Sequence, residues 1–132
     1  TFNTIGRHQS RMVRTRIASN KSPWLMATKP GEIYSVPISH GEGRFIAPEA
    51  LIAQLAEAGQ IATQYVDLAG APTADVRFNP NHSMMAIEGI TSPDGRVFGK
   101  MGHSERKGPD LYKNIPGMYD MQMFESAVKY FK

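Results

Sequence analysis

Alternation of apolar and polar positions dominates the first third of the chain. From Arg11 to Ala18, Val13, Thr15 and Ile17 fall on one side and Met12, Arg14 and Arg16 on the other, which predicts a half-buried strand. Residues 1–10 are irregular. Ser19-Asn20-Lys21-Ser22-Pro23 breaks the pattern, Trp24-Leu25-Met26 is a short apolar plug, and Lys29-Pro30-Gly31 is a turn. Alternation resumes from Ile33 to Ser39, with Tyr34, Val36 and Ile38 on one face, and Pro37 directs this strand towards a sheet edge or sits where no ladder N–H is needed. The Gly-rich turn His40-Gly41-Glu42-Gly43 and then Arg44-Phe45-Ile46 follow it. A period of 3.6 then takes over, predicting a helix from Pro48 to Ala58 with Leu51, Ile52, Leu55 and Ala56 as its buried stripe and Gly59 as its stop.

Gln60 to Val66 is rich in β-branched and aromatic residues and is predicted to be a strand, and residues 67–83 to be a polar loop. Two further strands, Met84 to Thr91 and Arg96 to Met101, are joined by the hairpin turn Ser92-Pro93-Asp94-Gly95. Residues 107–119 are predicted to be loop. The chain closes on a helix from Asp120 to Tyr130, whose Met121, Phe124, Val128 and Phe131 recur at helical spacing and are expected to pack on the body. Strands with two helices make an α/β or α+β domain, and the single strand–helix–strand unit points to a mixed sheet.

Composition narrows the classes. The 132 residues make one domain or a large part of one, and twelve Gly with nine Pro exclude a helical bundle. With no Cys, disulfides and thiolate metal sites are excluded. No apolar run approaches the roughly 20 residues that span a bilayer, and no signal-peptide pattern opens the chain, so no membrane partner is expected and the expected location is cytoplasmic. Thr1 leads straight into a basic stretch, as a cut or processed end would. Arg7, Arg11, Arg14, Arg16, Lys21 and Lys29 all precede the first acidic residue, Glu32, so the net charge of +3 divides into a +6 head and a −3 remainder. Such a head raises nucleic-acid binding, but it lacks stacking aromatics, and a solvated or interdomain face is the expected reading.

The chemistry concentrates in Met101-Gly102-His103-Ser104-Glu105-Arg106. If this stretch is extended, residues i and i+2 share a face, so Glu105 can accept the proton of one His103 ring nitrogen and leave the other as a general base. A base oriented by a carboxylate calls for a nucleophile. Zinc is the competing use, with His40, His82, His103 and Glu105 as candidate ligands, but these lack the spacing of a metal motif, and no metal is expected. His40-Gly41-Glu42-Gly43 is similar to a truncated phosphate loop but lacks a following Lys, so its glycines are read as bringing backbone groups close to a ligand.

Five runs in order carry a family resemblance: Ser39-His40-Gly41-Glu42-Gly43-Arg44-Phe45, Asn79-Pro80-Asn81-His82-Ser83, Ile87-Glu88-Gly89-Ile90, Asp94-Gly95-Arg96-Val97 and Gly102-His103-Ser104-Glu105-Arg106. Together they resemble the triad-type (class I) glutamine amidotransferases, and within them the glutaminase domains of the phosphoribosylformylglycinamidine synthase family. The resemblance covers essentially the whole chain, as the C-terminal portion of a glutaminase domain whose nucleophile-bearing N-terminal portion is absent. It implies a partial flavodoxin-like α/β domain with a mixed sheet, a C-terminal helix and an edge left exposed by the missing strands.

The resemblance also implies that His103 and Glu105 are the catalytic His and Glu acting with a Cys from elsewhere, and that Ser39, His40 and Gly41 bind the substrate carboxylate. It implies glutamine and a synthetase domain of the same polypeptide as partners, with no nucleic acid. No cofactor is implied for this stretch, ATP and magnesium belonging to the synthetase domain. Alone, the chain is expected to be inactive. Ser104 stands where the family commonly has Pro, implying a less rigid link, and His82 stands where Gly is common. The competing expectation is a non-catalytic binding or docking module that keeps the fold.

Overall fold

Period-two burial builds most of the structure, a computed structural model that describes residues 1–132. The first strand, β1 (Gln9–Ile17), buries Val13, Thr15 and Ile17 and leaves the arginines between them partly exposed. It pairs with β2 (Ile33–His40), where Tyr34, Val36 and Ile38 are buried. Helix α1 (Glu49–Glu57) leads to β3 (Ile61–Tyr65), whose five residues are all buried. The hairpin of β4 (Ile87–Thr91) and β5 (Phe98–Lys100) follows, and α2 (Met123–Phe131) ends the chain. The strand order across the sheet is β2-β1-β3-β4-β5.

All four strand pairings are antiparallel. The parallel component of the expected mixed sheet is confined to one isolated bridge, between Tyr34 and Met118. The single strand–helix–strand unit does not produce a parallel pair, because β3 lies against β1 and β4 rather than beside β2. β2 is an edge strand, as Pro37 requires. Its outer edge is met at two points: the Ser35 amide donates to Met118 O at 2.7 Å, and the His103 amide donates to Pro37 O at 2.8 Å.

The sheet is filled from three clusters. Val13, Val36, Ile38, Tyr65 and Ala86 form one, with Met101 against it. Ile17, Leu25, Tyr34, Ala62 and Met121 form the second, and Ile52, Ile61 and Ile87 join α1 to β3 and β4. The apolar plug is the short 3-10 turn Pro23–Leu25, capped by Ser22. Its Trp24 Nε1 donates to Arg96 O at 2.8 Å, and Ser22 Oγ donates to Gly95 O at 2.7 Å, so the plug holds the β4–β5 hairpin turn. That turn is built as its residues demand, with Gly95 at φ +74° and its amide donating to Ser92 O at 2.9 Å.

Both helices bury less than their apolar stripes promise. In α1 only Ile52 is buried, while Leu51 and Ala56 are exposed. α2 starts at Met123 because Gln122 adopts φ +51°, which a continuing helix does not allow. Its Phe124, Val128 and Phe131 are each more than half exposed, whereas Ser126 and Ala127 are buried. Helical spacing identifies an apolar face but not whether anything covers it. No helix is long and apolar enough to cross a membrane.

Four basic side chains of the head bond within the chain. Arg11 donates to Arg77 O at 2.7 Å, Arg14 to Asp67 O and Leu68 O at 3.1 and 2.9 Å, Arg16 to Gln64 Oε1, and Lys21 to Ala58 O at 3.0 Å. Three of them therefore brace chain outside the strands, the long 67–83 loop and the C-terminal end of α1, where unpaired carbonyls need donors.

Tyr65 is fully buried and its hydroxyl has no hydrogen-bond partner. A buried hydroxyl without a partner costs about 1–3 kcal/mol. Tyr65→Phe is expected to raise stability by about 1 kcal/mol in urea unfolding. A loss of that size would show that the hydroxyl is satisfied.

Candidate active site

The connection after β5 carries the candidate pair, His103 and Glu105. The backbone is not extended there: the Arg106 amide donates to His103 O at 3.1 Å, closing a turn over residues 103–106. The turn, rather than strand alternation, brings the pair together, with His103 Nδ1 at 2.8 Å from Glu105 Oε1. A carboxylate only accepts, so Nδ1 carries a proton, and in the neutral ring Nε2 presents its lone pair. Nε2 makes no hydrogen bond within the chain. The imidazole is 30% exposed and the carboxylate 56%, so the pair faces outward from the sheet. Burial alone would raise Glu105, but hydrogen bonds from its own backbone amide and from His103, with the charges of His103 and Arg106, hold its carboxyl below the usual range.

Ser104, between the pair, is held by a side-chain contact. Its Oγ receives Lys100 Nζ at 2.8 Å. The looseness expected from Ser at this position is thus countered by a side-chain tether.

The Gly-rich turn lies within electrostatic reach of His103. Burial lowers the proton affinity of His40, the charges of His103 and His8 lower it further, and Glu88 opposes them. A chain of amides fixes its tautomer. Asn3 Nδ2 donates to Arg7 O at 2.6 Å and to Asn81 Oδ1 at 3.2 Å, so Asn81 must turn its Nδ2 to His40 Nε2, 2.6 Å away. His40 Nε2 accepts, and in the neutral ring Nδ1 holds the proton. Gly43 is required by this contact, since a Cβ there would lie 2.1 Å from His40 Nε2. Ser39 Oγ is 3.1 Å from His8 Nε2, and Gly41 O accepts the Asn3 amide at 3.1 Å. The amides of Gly41, Glu42 and Gly43 donate no hydrogen bond within the chain.

The structure therefore brings His40 and His103 to one region, and it keeps His82 apart from a shared cluster. His82 Nδ1 is 3.3 Å from Thr4 Oγ1, and no three His, Cys, Asp or Glu side chains converge as metal ligands would. His82 sits at φ +61°, a conformation that glycine adopts freely and His tolerates better than most residues.

Two residues had no assigned part in the sequence reading. Asn81 stood only within a motif, yet it sets the His40 tautomer. Glu88 also stood only within a motif, yet its carboxylate is fully buried beneath the His103 loop. It accepts from Thr63 Oγ1, and from the Gly102 amide at 2.6 Å, with Lys100 Nζ 3.5 Å away. A charged residue inside an otherwise apolar strand was the available signal.

Residues 1–131 match the CobB/CobQ-like glutamine amidotransferase domain. The chain belongs to that family. Among similar amidotransferases, it is 39% identical over 94 residues to the phosphoribosylformylglycinamidine synthase subunit PurQ of Thermomicrobium roseum, covering 71% of this chain and 39% of that protein. It is 32% identical over 130 residues to the same-named subunit of Methanosarcina barkeri, covering 98% of this chain and 54% of the relative. The structure of PurLQS from Thermotoga maritima superimposes with a TM-score of 0.72 at 27% identity, over 99% of this chain and 51% of that one. The chain spans about half the length of the curated relatives it matches.

The His40 environment gives a pH dependence. The unfolded chain binds this proton more readily than the folded one, so the stabilisation is complete above about 6.5 and is lost as pH falls below it. The urea midpoint is expected to fall between about pH 7.5 and 5.5, and to fall less in His40→Gln. Equal slopes in the two proteins would contradict the placement of His40.

Proposed function

We propose that this chain is the C-terminal portion of a glutaminase domain, in which His103 is the general base and Glu105 its orienting group. The nucleophile is a Cys thiol supplied by the remainder of the domain, since these 132 residues contain none. His103 Nε2 takes the thiol proton, and sulfur attacks the side-chain amide carbon of glutamine. The carbon–nitrogen bond then breaks, and the nitrogen leaves as ammonia with the proton returned by His103. Water, deprotonated by His103 Nε2, cleaves the glutamyl thioester to glutamate, and the proton passes from Nε2 to the departing sulfur to give the free thiol. Glu105 keeps the imidazole in the productive tautomer and stabilises its cationic form. The observation that carries this reading is the 2.8 Å contact of His103 Nδ1 with Glu105, leaving Nε2 unengaged.

The free amides of Gly41 to Gly43 support a subsite for the glutamine α-carboxylate at Ser39, His40 and Gly41, because consecutive unpaired N–H groups attract anions. The curated relatives are named as subunits of phosphoribosylformylglycinamidine synthase, which supports the wider reaction: ammonia delivered to a synthetase domain, which converts formylglycinamide ribonucleotide to formylglycinamidine ribonucleotide. ATP and magnesium act in that synthetase domain, and this portion contributes no cofactor. The setting is cytoplasmic purine synthesis, with no nucleic acid bound. By itself the chain is inactive.

The test is made in the complete protein that carries this segment. His103→Ala is expected to lower glutamine-dependent synthesis by about 10² to 10⁴-fold while ammonia-dependent synthesis stays within about twofold. Equal loss of both activities, or loss of neither, would overturn the assignment and favour a docking module that keeps the fold.

A further inference from the structure

The loop that presents His103 has to be held from beneath, because the ring itself is anchored only through the partly exposed Glu105. The Glu88 side chain is fully buried and the Lys100 side chain is 8% exposed. Removing a carboxylate from water costs several kcal/mol unless its lone pairs are met. Here Thr63 Oγ1 on β3 meets one oxygen of Glu88. The other accepts the Gly102 amide at 2.6 Å, one residue before His103. Lys100 Nζ lies 3.5 Å from that second oxygen and donates onward to Ser104 Oγ at 2.8 Å, one residue after His103. The carboxylate thus reaches both neighbours of His103, one directly and one through Lys100. Gly102 is seated so closely that a Cβ would lie 2.7 Å from Val36 Cγ2 and 2.9 Å from Glu88 Oε1. Beyond it, the His103 amide is fixed to Pro37 O at 2.8 Å.

We infer that Glu88 is the positioning residue for the base: by accepting the Gly102 amide it sets where His103 Nε2 stands. The inference rests on the reading of His103 as the general base. It differs from a purely structural role because the decisive contact is to the loop backbone rather than to the core. A displacement of about 1 Å at a reacting group costs on the order of 10²-fold in rate.

Two double variants of the complete protein separate the possibilities. Glu88→Met with Lys100→Met removes the buried charges together and keeps the volume, so the fold is expected to persist, as apolar replacement of buried pairs commonly allows. Glu88→Gln with Lys100→Met has the same net charge but retains an acceptor oxygen for Gly102. The Met/Met protein is expected to lose about ten- to hundredfold in glutamine-dependent kcat, with KM for glutamine and ammonia-dependent synthesis within about twofold. Amide exchange in residues 102–105 should quicken while β1 and β2 remain protected. The Gln/Met protein should recover kcat to within about threefold of the unsubstituted enzyme. Equal kcat in the two double variants, at any level, overturns the inference.

If the Met/Met protein does not fold, the unsubstituted enzyme carries the test. Its Gly102 and His103 amides should exchange as slowly as those of β4, and exchange as fast as residues 107–113 overturns the inference. Failure of the base assignment reads differently. His103→Ala would then retain glutamine-dependent turnover, while the exchange comparison at residues 102–105 would still report on Glu88.

Discussion

A carboxylate deprived of water dictates how the second half of this molecule is assembled. Glu88 sits on β4 with its side chain fully buried, so every partner it has must come from protein. Those partners are Thr63 on β3, Lys100 on β5 and the amide of Gly102. The same group therefore ties the β3–β4–β5 part of the sheet to the loop that bears His103. The two edges of the sheet, β2 and β5, are in turn joined by that loop, which leaves β5 and is fixed by its His103 amide to Pro37 on β2. An edge strand that could recruit a foreign strand is met instead by the chain's own His103 segment at Pro37 and by Met118 at Ser35. Stability and placement of the candidate base are consequently one problem.

The second constraint is the orientation of polar side chains around the Gly-rich turn. Asn3, Asn81 and His40 form a directional chain, and the direction is set at its far end by the carbonyl of Arg7. The chain sets the His40 tautomer, burial favours the neutral ring, and the close His40–Asn81 contact leaves Gly43 no room for a side chain. The amides of Gly41, Glu42 and Gly43 donate no hydrogen bond within the chain, although Gly43 itself is buried.

Local pattern made much of this legible. Alternation found β1 and β2, Pro37 placed β2 at an edge, and Pro93-Asp94-Gly95 found the hairpin, because each signal acts within a few residues. The apolar run from Met84 gave no sign that Met85 and Ala86 take positive φ, so β4 begins at Ile87 rather than at Met84. The stripe on α2 is apolar as its spacing predicts but stays largely uncovered, since spacing carries no information about what lies opposite. His103 and Glu105 were found as a pair, but their meeting depends on a turn rather than on an extended strand. Glu88 and Asn81 had no visible role because their partners lie far along the sequence: Thr63 is 25 residues from Glu88, and His40 is 41 from Asn81. The arginines of the basic head were legible as charge, but not as braces for loop carbonyls tens of residues away.

The central claim is that this chain delivers an oriented base to a thiol it does not itself contain. It is tested most directly by a crystal structure of the complete protein with the glutamyl thioester trapped. His103 Nε2 is expected within about 3–4 Å of the cysteine sulfur, with Nδ1 still on Glu105. A sulfur clearly beyond that reach, with His103 turned away from it, would contradict the account.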